Sequence, residues 1–395
     1  MKQALEDILV LDLSRALAGP YCSLLLADLG ADVIKIERPE RGDDSRHWGP
    51  PFQGGESSYF LSVNRNKRSL TLDIQKERGK EIFRKLVKKA DVVIENLRPG
   101  KMKSLGLSYE DLHQENERLI WCSITGFGST GPESLRPGYD IIAQGMGGMM
   151  SITGEKDKAI RPGVALADIS TGMFAVEGIL AALYEREKSG KGQSIDTSLF
   201  EGQIAQLTYQ AGRYFASEEA PSRYGNKHPL IAPYEDIKTK DGSINIACGN
   251  DSLWKKFCRA LDLRALLEDS RFSSNSKRIE NRDELLAKIE NRSKNISTKE
   301  LGKLLDEAGV PNGPIWNLEE VFSCEQAKSR DMILEVDHPK AGRIQTTGMP
   351  IKMSRTPCKV RRHPPLLGEH NQEVLTELLD LREEEMSQLK EDKVL

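Results

Sequence analysis

The chain has 395 residues and a net charge of −3, from 57 basic and 60 acidic side chains. That length exceeds one simple core, so two domains, or one large domain with an insertion, are expected. The near balance of charge argues against a nucleic-acid or anionic-membrane surface as the main partner, and no apolar run reads as long enough to span a bilayer.

Strand and helix alternate from Ile8 to Ala211. Ile8 to Leu13 is a continuous apolar run of the kind buried in a parallel sheet. A helix over Pro20 to Asp28 follows, with Pro near its first turn and Gly30 just past its end. Ala31 to Glu37 is a second strand. The unit repeats, with strands predicted over Ser69 to Ile74, Asp91 to Leu97 and Leu119 to Ile124, and helices over Lys76 to Lys89 and Tyr109 to Glu115. An amphipathic helix is predicted over residues 172–187 from the spacing of Met173, Val176, Leu180 and Leu183, with Gly190 as terminator. Gln193 to Thr197 reads as a strand and Ser198 to Ala211 as a helix. This pattern predicts an α/β fold with a doubly wound, Rossmann-like parallel sheet.

Around Glu218 to Pro233 the composition turns polar and Pro/Gly-punctuated, which marks a crossover to a second, smaller α+β domain. From there to about residue 325 the chain is charge-rich and helical. A capping box at Ser297 and Glu300 opens one helix, which Gly309 and Pro311 close. Gly342 to Pro365 reads as strand and Pro, and a last helix covers Gln372 to Leu379. The expected division is residues 1–215, 225–325 and a returning segment, 330–395.

Six cysteines and six histidines are scattered, with no C-x-x-C, so no disulfide framework and no metal site are expected. Met1 to Leu13 carries three acids and runs straight into a strand, unlike a secretory or transit peptide. A cytoplasmic location is the expectation. The loop after the first strand, Arg15 to Pro20, lacks G-x-G-x-x-G, so Glu37 has no dinucleotide to serve as a ribose acid. There is no P-loop and no G-x-S-x-G. Arg15, Arg38, Arg46, Arg65, Lys67, Arg68 and Arg98 all fall in or beside predicted loops after strands, where α/β sheets bind ligands. Together they point to a phosphate-bearing ligand. Gly145-x-Gly147-Gly148 offers either backbone amides to an oxyanion or a close-packed turn. Asn250-Asp251-Ser252 reads as a helix start, with Asp251 or Ser252 as cap.

Asp168 lies between an irregular Gly/Pro stretch and the apolar helix. Its reference pKa of about 4 predicts an ionised carboxylate at neutral pH, and such a group is able to attack a thioester or ester carbonyl. The competing reading is a helix cap, but Ser170 and Thr171 lie nearer the start of the periodicity and are expected to take that role. A nearby helix N-terminus favours the anion.

Leu11 to Pro20 and Leu29 to Pro39 together resemble the class III (CaiB/BaiF-type) CoA-transferase family. Asn64 to Ser69, Glu95 to Gly100, Gly163 to Gly172, Gly190-x-Gly192-x-x-x-Asp196 and Pro364 to Asn371 follow in family order. Gly42 to Pro51 and Glu56 to Phe60 look most like the succinyl-CoA:glutarate (dicarboxylate) branch. The resemblance implies CoA transfer from an acyl-CoA, with succinyl-CoA the expected donor, to a free carboxylic acid. It implies Asp168 as nucleophile, through a mixed anhydride and an aspartyl-CoA thioester. CoA and acyl-CoA enter as substrates, with no permanently bound cofactor.

By the same resemblance the CoA contacts are Arg38, Leu72, Asp73, Asn96, Leu97, Arg98, Arg136 and Tyr139. Gln75, Ser104 and Pro137 stand where family members often carry a basic residue; Lys101, Lys103 and Arg136 are the candidates to compensate. Arg15, Arg46 and Tyr59 are candidates for the acid's distal carboxylate, and Gly249 for the acyl site. The family resembles α-methylacyl-CoA racemase, in which a His follows the equivalent of Gly138. Tyr139 stands there here and, with a reference pKa of about 10, suits a two-base proton transfer poorly. A non-catalytic CoA-binding protein is the other alternative. Members are described as interlocked homodimers, and some relatives are mitochondrial, so the matrix is the alternative location if a leader is missing.

Overall fold

In the computed structural model, which describes residues 2–395, the first apolar run forms β1 (Leu9–Asp12), flanked by the helix α1 (Ala18–Asp28) and by β2 (Asp32–Glu37). The sheet continues through β3 (Lys67–Thr71), β4 (Val92–Glu95), β5 (Ile120–Thr125) and β6 (Ser194–Ser198). All neighbours are parallel, in the order β6-β5-β4-β1-β2-β3. The order reverses between β1 and β4, and a ligand crevice belongs outside the carboxyl ends of the strands at such a reversal.

The central strands β1 and β4 are near-continuous apolar runs buried on both faces, whereas the edge strands β3 and β6 are mostly polar. Leu11, Ile34, Leu70, Val93 and Trp121 join one core, with Ile82 and Phe83 of the helix α2 (Glu77–Val87) and Val374, Leu375, Met386, Leu389 and Val394 from the end of the chain. Val10, Val33, Val92, Ile94, Ile120 and Cys122 join the other, with α1 and the long helix that follows residue 165. The chain's end also closes the edge of β3. Thr71 N–H donates to the Asn371 carboxamide at 2.9 Å, and His370 N–H to Ser69 O at 3.1 Å. An edge strand covered this way offers no free ladder for intermolecular pairing.

By internal contacts the chain divides into two units. The first holds residues 2–150, Arg161–Glu219 and Glu325–Leu395; the second holds Ser151–Ile160 and Ala220–Cys324. Met1 lies outside the described residues. Ser151–Ile160, which the sequence left inside the first domain, carries a short hairpin pairing Gly154 with Ala159.

The second unit contains a three-stranded antiparallel sheet, Tyr234–Lys238, Ser243–Ala247 and Asn312–Pro314, which agrees with the expected α+β class although the sequence located only helices there. Ile237, Ile244 and Ile246 face its core against Trp254, Phe257, Leu301 and Leu305. The Ser297/Glu300 capping box is present, and Gly309 sits at φ +64° past the helix end. The helix Asp251–Ala260 is capped by Asn250, whose side chain accepts Leu253 N–H at 2.9 Å, and not by Asp251 or Ser252. Asp251 pairs instead with the buried Arg278 at 2.7 Å.

Candidate active site

At the carboxyl ends of β1, β2, β3 and β4 lies a cavity of about 290 Å³. Five of the eight residues named for CoA line it: Arg38, Leu72, Asp73, Leu97 and Arg98. Arg15, Gln75 and Lys101 line it too, so Lys101 is the compensating cation the fold brings to this site. Asn96 is not among the lining residues. Its carboxamide accepts Arg15 N–H at 2.9 Å and donates to Arg15 O at 2.8 Å, clamping the loop after β1. The next residue, Ala16, is left-handed at φ +65°, and its N–H is held by Asp43 at 3.1 Å. Asp43 is itself fixed by the fully buried Lys35 ammonium at 2.8 Å. Burial opposes the Asp43 charge, but Lys35 and the N–H groups of Ser45 and Ala16 outweigh it and hold the carboxyl well below the ordinary range.

Other predicted contacts lie elsewhere. Arg136 pairs with Glu133 at 3.0 Å and stacks over Phe127, and Tyr139 is 70% exposed; neither lines the cavity. Arg46 is committed to structure: it forks onto Glu37 at 2.7 Å, donates to Pro365 O at 3.1 Å and lies 3.7 Å above the Phe60 ring. Four of its five N–H donors are taken by protein acceptors, and Nη1 also stands 4.0 Å from Glu56, so its role is structural and its assignment to the substrate carboxylate is corrected. Glu37, receiving Arg46, Ser69 and Asp43 N–H, is equally occupied.

Arg65 precedes β3 and Lys67 and Arg68 open it, none of the three lines the cavity, and all three are taken by protein partners. Arg65 pairs with Asp28, Lys67 with Asp12 and Asn64, and Arg68 with Asp32 and Glu377. Of the seven cations singled out in the sequence, Arg15, Arg38 and Arg98 line the cavity, and Lys101 joins them there. Gly249 belongs to the second unit. Gly147 is a packing position: a Cβ there would stand 2.6 Å from Gln203 Cβ and 2.7 Å from Ala143 O. Close packing therefore accounts for Gly147, whereas Gly145 lies within the helix Asp140–Met146.

Asp168 lies in the first turn of a 24-residue helix, Leu166–Ser189, which begins six residues before the predicted start of 172. This helix is long and apolar enough to cross a bilayer, contrary to the sequence reading. Its Ala175, Val176, Ile179, Ala182 and Leu183 are buried in the core beneath the sheet. Neither Ser170 nor Thr171 caps it; their hydroxyls donate back to Leu166 O and Ala167 O at 2.7 Å. The cap comes from Asp140, at the start of the helix Asp140–Met146. Its carboxylate accepts Ala167 N–H at 2.9 Å, the Gln144 amide at 2.8 Å and Arg161 at 3.2 Å. Asp140 lies 27 residues away in sequence, and no local signal reports it.

Freed from capping, the Asp168 carboxylate takes no hydrogen bond among the described residues. Burial, and then the Asp140 charge, push its pKa up to about 7, so the expectation of an ordinary ionised aspartate does not hold. Tyr59 stands within the same field. Burial, then Asp168, Asp140 and Asp43, push its phenol up to about 12, and its ring meets Trp48 edge-on at 5.0 Å.

The first unit thus carries a basic crevice at a sheet reversal and, outside the lining of that crevice, an unpartnered carboxylate at a helix start; Tyr59 feels the charge of both Asp168 and the cavity residue Asp43. The sequence model of CoA-transferase family III matches residues 5–371. The chain belongs to CoA-transferase family III. Succinyl-CoA:glutarate CoA-transferase from Homo sapiens is 43% identical over 376 residues, covering 95% of this chain and 86% of that protein. Succinate–glutarate CoA-transferase from Agrobacterium fabrum is 43% identical over 384 residues, covering 95% and 96%. A CaiB/BaiF family protein from Brucella suis superposes with a TM-score of 0.85 at 45% identity, over 96% of this chain and all of that one. Membership of family III, with relatives named as CoA-transferases, makes the chain an enzyme of the transferase class acting on CoA thioesters.

Proposed function

We propose that this family III enzyme moves CoA from succinyl-CoA to a dicarboxylic or related acid, with Asp168 as the nucleophile. The carrying observation is the Asp168 carboxylate, raised to about 7 and free of hydrogen bonds at the start of its helix. A carboxylate that is more basic than usual and poorly solvated is a stronger nucleophile than an exposed aspartate. The glutarate transferases at 43% identity support the donor and the acid class.

The chemistry balances without an added proton. An Asp168 oxygen bonds to the acyl carbon and the C–S bond breaks, giving an acyl-aspartyl anhydride and CoA thiolate. The thiolate attacks the aspartyl carbonyl, releasing the first acid as carboxylate and leaving an aspartyl-CoA thioester. The incoming carboxylate attacks that thioester and expels the thiolate again. The thiolate then takes the new acyl group and frees Asp168. Arg15, Arg38, Arg98 and Lys101 hold the coenzyme's phosphates in this reading, and Tyr59 stands nearest the acyl end, in the field of Asp168.

Incubation with succinyl-CoA and hydroxylamine should leave a hydroxamate on the peptide containing Asp168, read by mass spectrometry. Asp168→Ala should lose exchange by at least about 10³-fold while CoA affinity stays within about threefold. An unmodified peptide under turnover would exclude the covalent route.

We also propose a homodimer. Leu135, Tyr184 and Phe215 of the first unit are 81%, 68% and 77% exposed, as large apolar side chains destined for a partner surface are. Light scattering at micromolar concentration should give twice the 44.1 kDa chain mass.

A further inference from the structure

We propose that Asp44 is an internal stand-in for a coenzyme phosphate, and that its competition sets how tightly this chain holds CoA. One carboxylate oxygen takes Arg15 Nη1 at 3.1 Å and the other takes Arg38 Nη2 at 3.0 Å. Both arginines line the cavity, whereas Asp44 does not. One carboxylate therefore converges two guanidiniums that follow two different strands. A single negative charge between them leaves one positive charge unmatched. Guanidinium forks suit a phosphate at least as well, and a phosphate brings more charge and more acceptor oxygens.

Asp44 is built to exchange, and its neighbours are built to stay. The side chains of Arg15, Arg38 and Asp44 are 38%, 43% and 44% exposed, and ion pairs in that setting are weak and quickly broken. The scaffolding of the same loops is done elsewhere. Asn96 holds both backbone groups of Arg15, and the buried Asp43 holds Ala16 N–H and Ser45 N–H. The described contacts of the Asp44 carboxylate are the two arginines alone, so no backbone depends on it. A coenzyme phosphate entering between Arg15 and Arg38 has to displace it, and the cost of that displacement is subtracted from the affinity.

This inference rests on the reading that the cavity takes CoA, and calorimetric titration separates the two. CoA is titrated into wild type, Asp44→Asn, Arg38→Ala and the double variant, at low and high salt. Asp44→Asn, which keeps shape and removes charge, should bind CoA roughly three- to tenfold more tightly, the gain shrinking at high salt. The gain should vanish in the Arg38→Ala background. Its KM for acyl-CoA should fall without a rise in kcat, because the added binding is uniform between ground and transition states. Unchanged or weaker CoA binding by Asp44→Asn, with Arg38→Ala still weakening it, overturns the stand-in and assigns Asp44 to orienting the arginines. Arg38→Ala that leaves CoA affinity untouched overturns the cavity reading itself, and the stand-in with it.

Discussion

Asp168 shows how far a side chain's chemistry is set by what does not touch it. An exposed aspartate has a pKa of about 4, and a hydrogen-bonded one lower still. Here the hydroxyls of Ser170 and Thr171 turn back into their own helix, the cap comes from Asp140, and burial leaves the carboxylate titrating at about 7. Attack requires the ionised form, so kcat/KM should rise with pH and level off above an apparent pKa of about 7 in the free enzyme. A profile that is flat from pH 5 to 8 would remove Asp168 ionisation from the rate. Asp140→Asn keeps an oxygen for Ala167 N–H and deletes the second cause of the shift. The limb should therefore move to lower pH. Steady-state rates over that range test both.

The elements of the first unit were largely legible, and the reasons are local. Continuous apolar runs such as Ile8 to Leu13, separated by helical periodicity, report a doubly buried parallel sheet because each signal lies within its own element. What escaped was non-local. The helix of Asp168 was placed six residues late because its true cap, Asp140, belongs to another helix. Arg46, Arg65 and Arg68 looked like ligand-binding arginines, and their carboxylate partners are set by tertiary packing. The strand Ser243–Ala247 was hidden by its charged neighbourhood, although Ile244 and Ile246 alternate as a half-buried strand should. Replacing the remote cap, Asp140→Ala, should destabilise the unit by about 1–2 kcal/mol in urea unfolding, the usual cost of a lost N-cap.

At the scale of the whole chain, the first unit is completed by its last residues. Leu375 and Leu389 are buried in the same core as Leu11 and Leu70, and Asn371 holds Thr71 across 300 residues of sequence. Leu375→Ala should therefore cost about 2–5 kcal/mol, as a buried core truncation does, although it lies far from the site and leaves the Asp168 acid limb in place. A change confined to a peripheral tail would cost under about 0.5 kcal/mol.

That closure also has a biosynthetic side. At roughly 5–20 residues per second, the ribosome adds the 300 residues between Thr71 and Asn371 in about 15 to 60 s. Throughout that interval the nascent chain carries β3 with its outer ladder uncovered and one face of its apolar sheet half roofed. Holding that surface away from neighbouring polypeptides during translation is work for a chaperone, and the demand ends only when the final helices emerge.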